Sequence, residues 1–123
     1  MTTTFRTLIL LASLAVASQA AAAPDAKATR EIDHLLSFVA ASDCRFVRSG
    51  TEHDGKAARE HLERKLDVAR SMLSTADQFV DRVATGSSMS GEAYKVRCGS
   101  RELTSQAWLR GELEKYRKTA KAP

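Results

Sequence analysis

With 123 residues, 43% hydrophobic and 28% charged, the chain has the apolar content of one small globular domain and leaves no room for a second. Its 19 Lys and Arg against 15 Asp and Glu are interspersed (Arg59, Glu60, Glu63, Arg64, Lys65, Asp67), a solvated-surface pattern that argues against a nucleic-acid-binding face. There is no internal repeat at solenoid spacing, and no low-complexity tract beyond the alanines near residue 20.

Residues 1–6 carry a single positive charge, and residues 7–17 (TLILLASLAVA) form an uncharged apolar run. Small residues follow at 18–23 (SQAAAA), which completes the layout of a cleavable secretory signal. Cleavage is expected after Ala22, with Ala20 as the second choice. The apolar run is shorter than the roughly 20 residues of a bilayer span, so no stable membrane insertion is expected once it is removed. No cysteine lies near the cut, which excludes a lipoprotein. A periplasmic location follows, with residues 1–22 as signal peptide, 23–30 as a flexible leader, 31–118 as a single globular domain and 119–123 as a C-terminal tail.

Within the domain, Ile32, Leu35, Leu36 and Val39 recur at helical spacing and predict a first amphipathic helix over residues 31–41. His34 lies beside that stripe and reads as a boundary residue. Cys44, Phe46 and Arg48 alternate with Arg45 and Val47, which predicts a short strand ending at the Ser49-Gly50 turn. Residues 51–53 are the expected return arm, too short to hold a ladder unaided. Asp54 is then placed to cap a second helix over residues 56–73, with Ala58, Leu62, Leu66, Ala69 and Leu73 as its apolar stripe and Val68 and Met72 widening it. Thr75 and Gln78 have the spacing of a capping box for a third helix over residues 76–85 that buries Phe79, Val80 and Val83.

Residues 86–91 (GSSMSG) read as a flexible polar loop. Tyr94, Val96 and Cys98 then alternate with Lys95 and Arg97, predicting a strand of the right length to pair with residues 44–48. After the Gly99-Ser100 turn, Thr104 or Ser105 caps a last helix over residues 107–118, with Trp108, Leu109, Leu113 and Tyr116 inward. The basic run at residues 115–121 matches the sign of a helix C-terminus. The expected fold is α+β, mainly α, with about four helices packed on a small antiparallel sheet of two or three short strands.

Two cysteines in an exported chain allow one pairing, Cys44 with Cys98. Closing that loop would stabilise by roughly 4 kcal/mol in the chain-entropy estimate. They are too far apart in sequence for a C-x-x-C redox motif, so a structural disulfide is preferred over two separate buried thiols.

Few residues have the means for chemistry. His53 and His61, with Glu52, Asp54 or Glu60, supply imidazole and carboxylate donors suited to zinc or copper, but their spacing is not diagnostic. The structural alternative has His61 bonding the hairpin backbone and His53 fixing the turn. Arg48 can present a planar fork to a carboxylate or phosphate, or brace the hairpin through Glu52 or Asp54. The serines at 87–90 lack the G-x-S-x-G elbow of a serine hydrolase, so Ser90-Gly91 reads as a turn into the strand.

Four spaced motifs, F-V-R-x-G-x-E-H at residues 46–53, A-x-x-H-L-x-x-K-L at 58–66, T-A-x-Q-F-V-D at 75–81 and S-S-x-S-G-x-x-Y at 87–94, resemble the YfeK-like family of small exported proteobacterial proteins. The resemblance covers roughly residues 31–118, and that family is a domain of unknown function. It implies no activity, cofactor or catalytic residue. Ser49 stands where the family form F-V-R-N-G has asparagine.

The preferred functional reading is a non-enzymatic periplasmic binding module recognising an envelope ligand or partner protein. Its candidate binding residues are Phe46, Arg48, Gly50, Glu52, His53, His61, Ser88, Ser90 and Tyr94. Short exposed strands suit strand-edge recognition, and no cofactor is implied. The alternative is a metal carrier or metal-dependent enzyme using His53, His61 and Glu52. A periplasmic chaperone is a third idea, resting only on size, compartment and helicity.

Overall fold

The computed structural model describes residues 12–13 and 23–121, so the expected cleavage point and nearly all of the signal segment lie outside the described residues. In chain order the elements are α1 (Ala26–Ala41), β1 (Arg45–Arg48), β2 (Thr51–His53), α2 (Gly55–Ala69) with a following 3-10 turn (Arg70–Met72), α3 (Ala76–Arg82), β3 (Lys95–Cys98), β4 (Arg101–Thr104) and α4 (Ser105–Lys121).

Helix α1 begins earlier than its apolar stripe predicts, because Asp25 caps it by accepting from the Ala28 amide at 2.8 Å. Most of the expected leader is therefore helical, with Ala28 buried beside Ile32, Leu35, Leu36 and Val39. At the other end of the chain, α4 continues to Lys121, past the expected domain boundary.

The sheet is fully antiparallel, in the order β2-β1-β3-β4. Among the described residues it has four strands rather than two or three, and the additional strand is β4. Its sequence, RELT, has one apolar residue, Leu103, so alternation alone gives little signal. Pairing with β3 places Leu103 opposite the buried Val96. Both hairpins turn through left-handed backbone, Ser49 and Gly50 in the first (φ 51° and 76°) and Gly99 in the second (φ 62°). Positive φ at both central residues is what a type I′ turn demands, so Ser49 takes on the conformation that asparagine adopts more readily.

One sheet face packs on the helices through Phe46 and Val96, with Leu103 opposite Val96 on that same face. The other is exposed and charged: Arg97 bridges Glu52 at 2.8 Å and Glu102 at 2.9 Å, and Lys95 lies 3.4 Å from Glu102. One position beyond the Arg45↔Arg97 pair, Cys44 and Cys98 face each other with Cα atoms 4.5 Å apart and form a disulfide.

The core joins α1, α2, α3 and α4 through Ile32, Leu35, Val39, Leu66, Phe79, Val80, Leu109 and Leu113. At its edge Trp108 packs between Phe38 and Phe46, at ring separations of 4.4 and 5.4 Å. His34 is a boundary residue that stacks on Tyr116 at 4.0 Å and bonds Glu112 at 2.9 Å. Arg117 of α4 binds the buried Glu31 of α1 through Nε (2.7 Å) and Nη2 (3.1 Å), and Asp77 of α3 at 2.7 Å, so one guanidinium ties three helices together. The same hydrogen bond holds the Asp77 carboxyl below the usual carboxylate range. Among the described residues, no helix is long and apolar enough to cross a membrane.

Candidate functional site

The site is built on the first turns of α2. Asp54 accepts from the Ala57 amide at 2.8 Å, which satisfies one of the free donors at the helix start and fixes where the helix leaves the hairpin. Gly55 follows with no side chain because a Cβ there would sit 2.4 Å from the Val39 carbonyl oxygen and 3.0 Å from those of Ala40 and Ser42. This contact docks the start of α2 against the end of α1. His61 and Lys65, one turn apart along α2, then point toward Tyr94.

Tyr94 is held from both sides by its backbone, donating to the Thr85 carbonyl at 3.1 Å and accepting from the Ser105 amide at 2.9 Å. Its ring is buried, and its hydroxyl lies 3.0 Å from His61 Nε2 and 3.0 Å from Lys65 Nζ. Lys65 also donates to the carbonyls of Val83 (2.7 Å) and Gly86 (2.5 Å), so all three ammonium donors are used. An ammonium only donates, so the Tyr94 oxygen accepts from Lys65, and its own hydrogen is free to be donated to the neutral His61 Nε2. Burial, with the positive charges of Arg48, Lys65 and Arg64 nearby, pushes the His61 pKa down to about 4. His61 is therefore a neutral side chain at ordinary pH.

Phe46, Arg48 and His53 from the hairpin meet His61, Leu62 and Tyr94 around a narrow recess with a cavity volume of about 30 Å³. Val47, Ala57 and Ala58 add to its apolar lining, and Lys95 and Ser105 also border it. Arg48 is half-buried and, among the described residues, makes no ion pair within 4.0 Å. The brace expected from Glu52 or Asp54 does not form: Glu52 lies opposite Val47 on the outer sheet face and pairs with Arg97, while Asp54 is occupied as a cap.

Of the sequence-predicted residues, Phe46, Arg48, His53, His61 and Tyr94 come together at this recess, whereas Gly50, Glu52, Ser88 and Ser90 do not line it. Gly50 forms the hairpin tip, and Ser88 lines a separate groove on the far side of His61. The serine loop is internally bonded rather than open: Ser87 Oγ accepts from the amides of Met89 and Ser90 at 3.2 Å, and Ser90 Oγ accepts from Glu92 at 3.2 Å. The three-donor set of His53, His61 and Glu52 does not converge, because Glu52 points to the other face of its strand. No group of three metal-ligating side chains occurs among the described residues. His61 bonds Tyr94 rather than the hairpin backbone, and His53 has no hydrogen-bonded side-chain partner among the described residues.

Lys65 is not singled out by the sequence pattern because it sits among charged residues of both signs. The available signal was its place in the H-L-x-x-K-L stretch, directly before the buried Leu66. Val68 and Met72 were expected inward but are 81% and 62% exposed. At about 100° per residue Val68 lies roughly 120° from the centre of the α2 stripe, and the 3-10 turn carries Met72 away from it.

The profile of DUF5329, described as a family of unknown function, matches residues 26–117. The chain belongs to this family. It is also 44% identical over 52 residues to the "Uncharacterized protein YfeK" of Salmonella typhimurium (strain LT2), a match covering 42% of this chain and 43% of that protein. The matched region thus spans less than half of that relative's length. Both findings agree with the YfeK-like resemblance carried by the four motifs. No solved structure matches the chain. Membership of DUF5329 supplies no activity, cofactor or ligand, so a functional reading of this DUF5329 protein rests on the geometry of its recess.

Proposed function

We propose that the protein is an exported, non-enzymatic binding module whose hairpin–α2 recess accepts a small apolar group attached to a carboxylate, presented by a periplasmic partner or envelope ligand. The observation that carries the reading is the convergence of Phe46, His61, Leu62 and Tyr94 on one recess, with Arg48, which makes no ion pair among the described residues, in its lining. The apolar lining favours burial of a group of a few carbon atoms, and a planar guanidinium suits a carboxylate beside it. A neutral His61 lets the apolar group enter without stranding a buried charge. The signal layout of residues 1–22 and the Cys44–Cys98 disulfide support export.

The test is an amide-detected NMR titration with N-acetyl-valine and its C-terminal amide. Shifts confined to residues 46–48, 53, 57–62 and 94, given by the acid and not by the amide and abolished by Arg48→Gln, are the expected outcome. Equal responses to acid and amide, or shifts elsewhere on the fold, would rule out this recess as a carboxylate-directed site.

A further inference from the structure

A second surface adjoins the recess, sharing only His61 with it. The large hydrophobic side chains exposed among the described residues are Val68 (81%), Met72 (62%) and Met89 (98%). Val68 and Met72 line a single groove of about 510 Å³ between α2 and α3, with Ser88 also in its lining and Met89 outside it. The floor is made by Ala69, Leu73 and Val83, continuous with the core. Scattered exposed hydrophobics are ordinary in a soluble domain, but two of these three, Val68 and Met72, share one concave place, which marks an interaction surface.

Charge selects the occupant. The groove is lined by Arg64, Lys65 and Arg82 and by no carboxylate. Lys65 is spent on its three acceptors, whereas Arg64 and Arg82 make no ion pair within 4.0 Å among the described residues. Arg64 stands toward the His61 end and Arg82 toward the Met72 end, where it reaches the Met72 carbonyl at 3.4 Å. From His61 through the end of α2 and the 3-10 turn to Met72 the stretch is about 18 Å long, at 1.5 Å per residue in the α-helix and about 2.0 Å in the 3-10 turn.

We infer that this groove docks an acidic amphipathic segment of a partner protein, about three helical turns long, with apolar residues on one face and carboxylates flanking them. An amphiphile with a single anionic end satisfies one arginine and leaves the other unmatched. A flat bilayer does not fill a concave groove. The chain's own apolar run at residues 7–17 has no acid to offer either arginine. Methionine at the contact suits such a role, because its unbranched, polarizable side chain adapts to different partners.

The test is selection of a random displayed-peptide library on the disulfide-bonded protein, followed by affinity measurements on a synthesised consensus peptide. Enriched peptides should carry apolar residues at helical spacing and a net negative charge, and their affinity should fall with added salt. Met72→Ser and Arg82→Glu should each weaken the consensus peptide about tenfold, the effect of losing a contact residue of moderate weight. Both positions are exposed, and an unchanged melting temperature establishes that these variants fold. Arg48→Gln should leave this affinity unchanged, which separates the groove from the recess. Enrichment of basic or uncharged peptides, or indifference to Met72→Ser, would overturn the inference. So would self-association abolished by Met72→Ser, or binding to phosphatidylglycerol vesicles through these residues without peptide enrichment.

Discussion

His61 shows how a single side chain acquires its character from its neighbours. A free histidine titrates near 6.5, but burial and the surrounding cations bring this one to about 4 in the folded protein. Between those values the unfolded chain binds the extra proton, so the stability that depends on neutral His61 is complete above pH 6.5 and is lost as the pH falls toward 4. An NMR titration should give a His61 midpoint near 4, and His61→Gln should remove the corresponding part of the acid-side decline in melting temperature. A midpoint at 6.5 would contradict the Lys65–Tyr94–His61 arrangement. The histidine and the tyrosine were both recognisable as candidates from their motifs. Their pairing was not, because Tyr94 lies 33 positions away and only packing brings it to His61.

At the scale of elements, the helices were legible from their apolar periodicity, and the caps Asp54 and Thr75 from their side chains. Thr75 accepts from Gln78 as expected, although Gln78 returns its bond to the Ser74 amide, one residue earlier than in a standard capping box. Helix ends were less legible, since one or two capping bonds decide them. Gly55 carries a fit that no propensity reveals. Although alanine is the better helix former, Gly55→Ala should destabilise by about 1–3 kcal/mol, because the atoms in its way are backbone carbonyls that cannot turn aside. Gly111 in α4 has nothing within 4 Å of the position a Cβ would take, so Gly111→Ala should stabilise by about 0.5–1 kcal/mol. Urea unfolding of the two variants checks the pair, and shifts of the same sign would overturn the assignment of Gly55 as the α1–α2 contact point.

Across the whole molecule, the disulfide closes a separation of 54 residues and locks β1 to β3, the central strands of the sheet. Reduction, or the Cys44→Ala/Cys98→Ala pair, should cost roughly 4 kcal/mol, read as a lower urea midpoint. An unchanged midpoint would show that the cross-link contributes nothing to stability. The sequence by itself determined the helical and strand periods, the two caps, the central strand pairing and the identity of the linked cysteines. Each of these depends on a few neighbouring residues or, for the cysteines, on a choice with one answer. Only the tertiary structure decided that β4 joins the sheet, that Glu52 pairs with Arg97 and not Arg48, that the half-buried Lys65 donates to the carbonyls of Val83 and Gly86 beyond α3, and that Val68 and Met72 face outward. The physical reason is that periodicity is set by local sterics and burial, whereas a charged or edge residue finds its partner among many chemically equivalent ones only when the elements have packed.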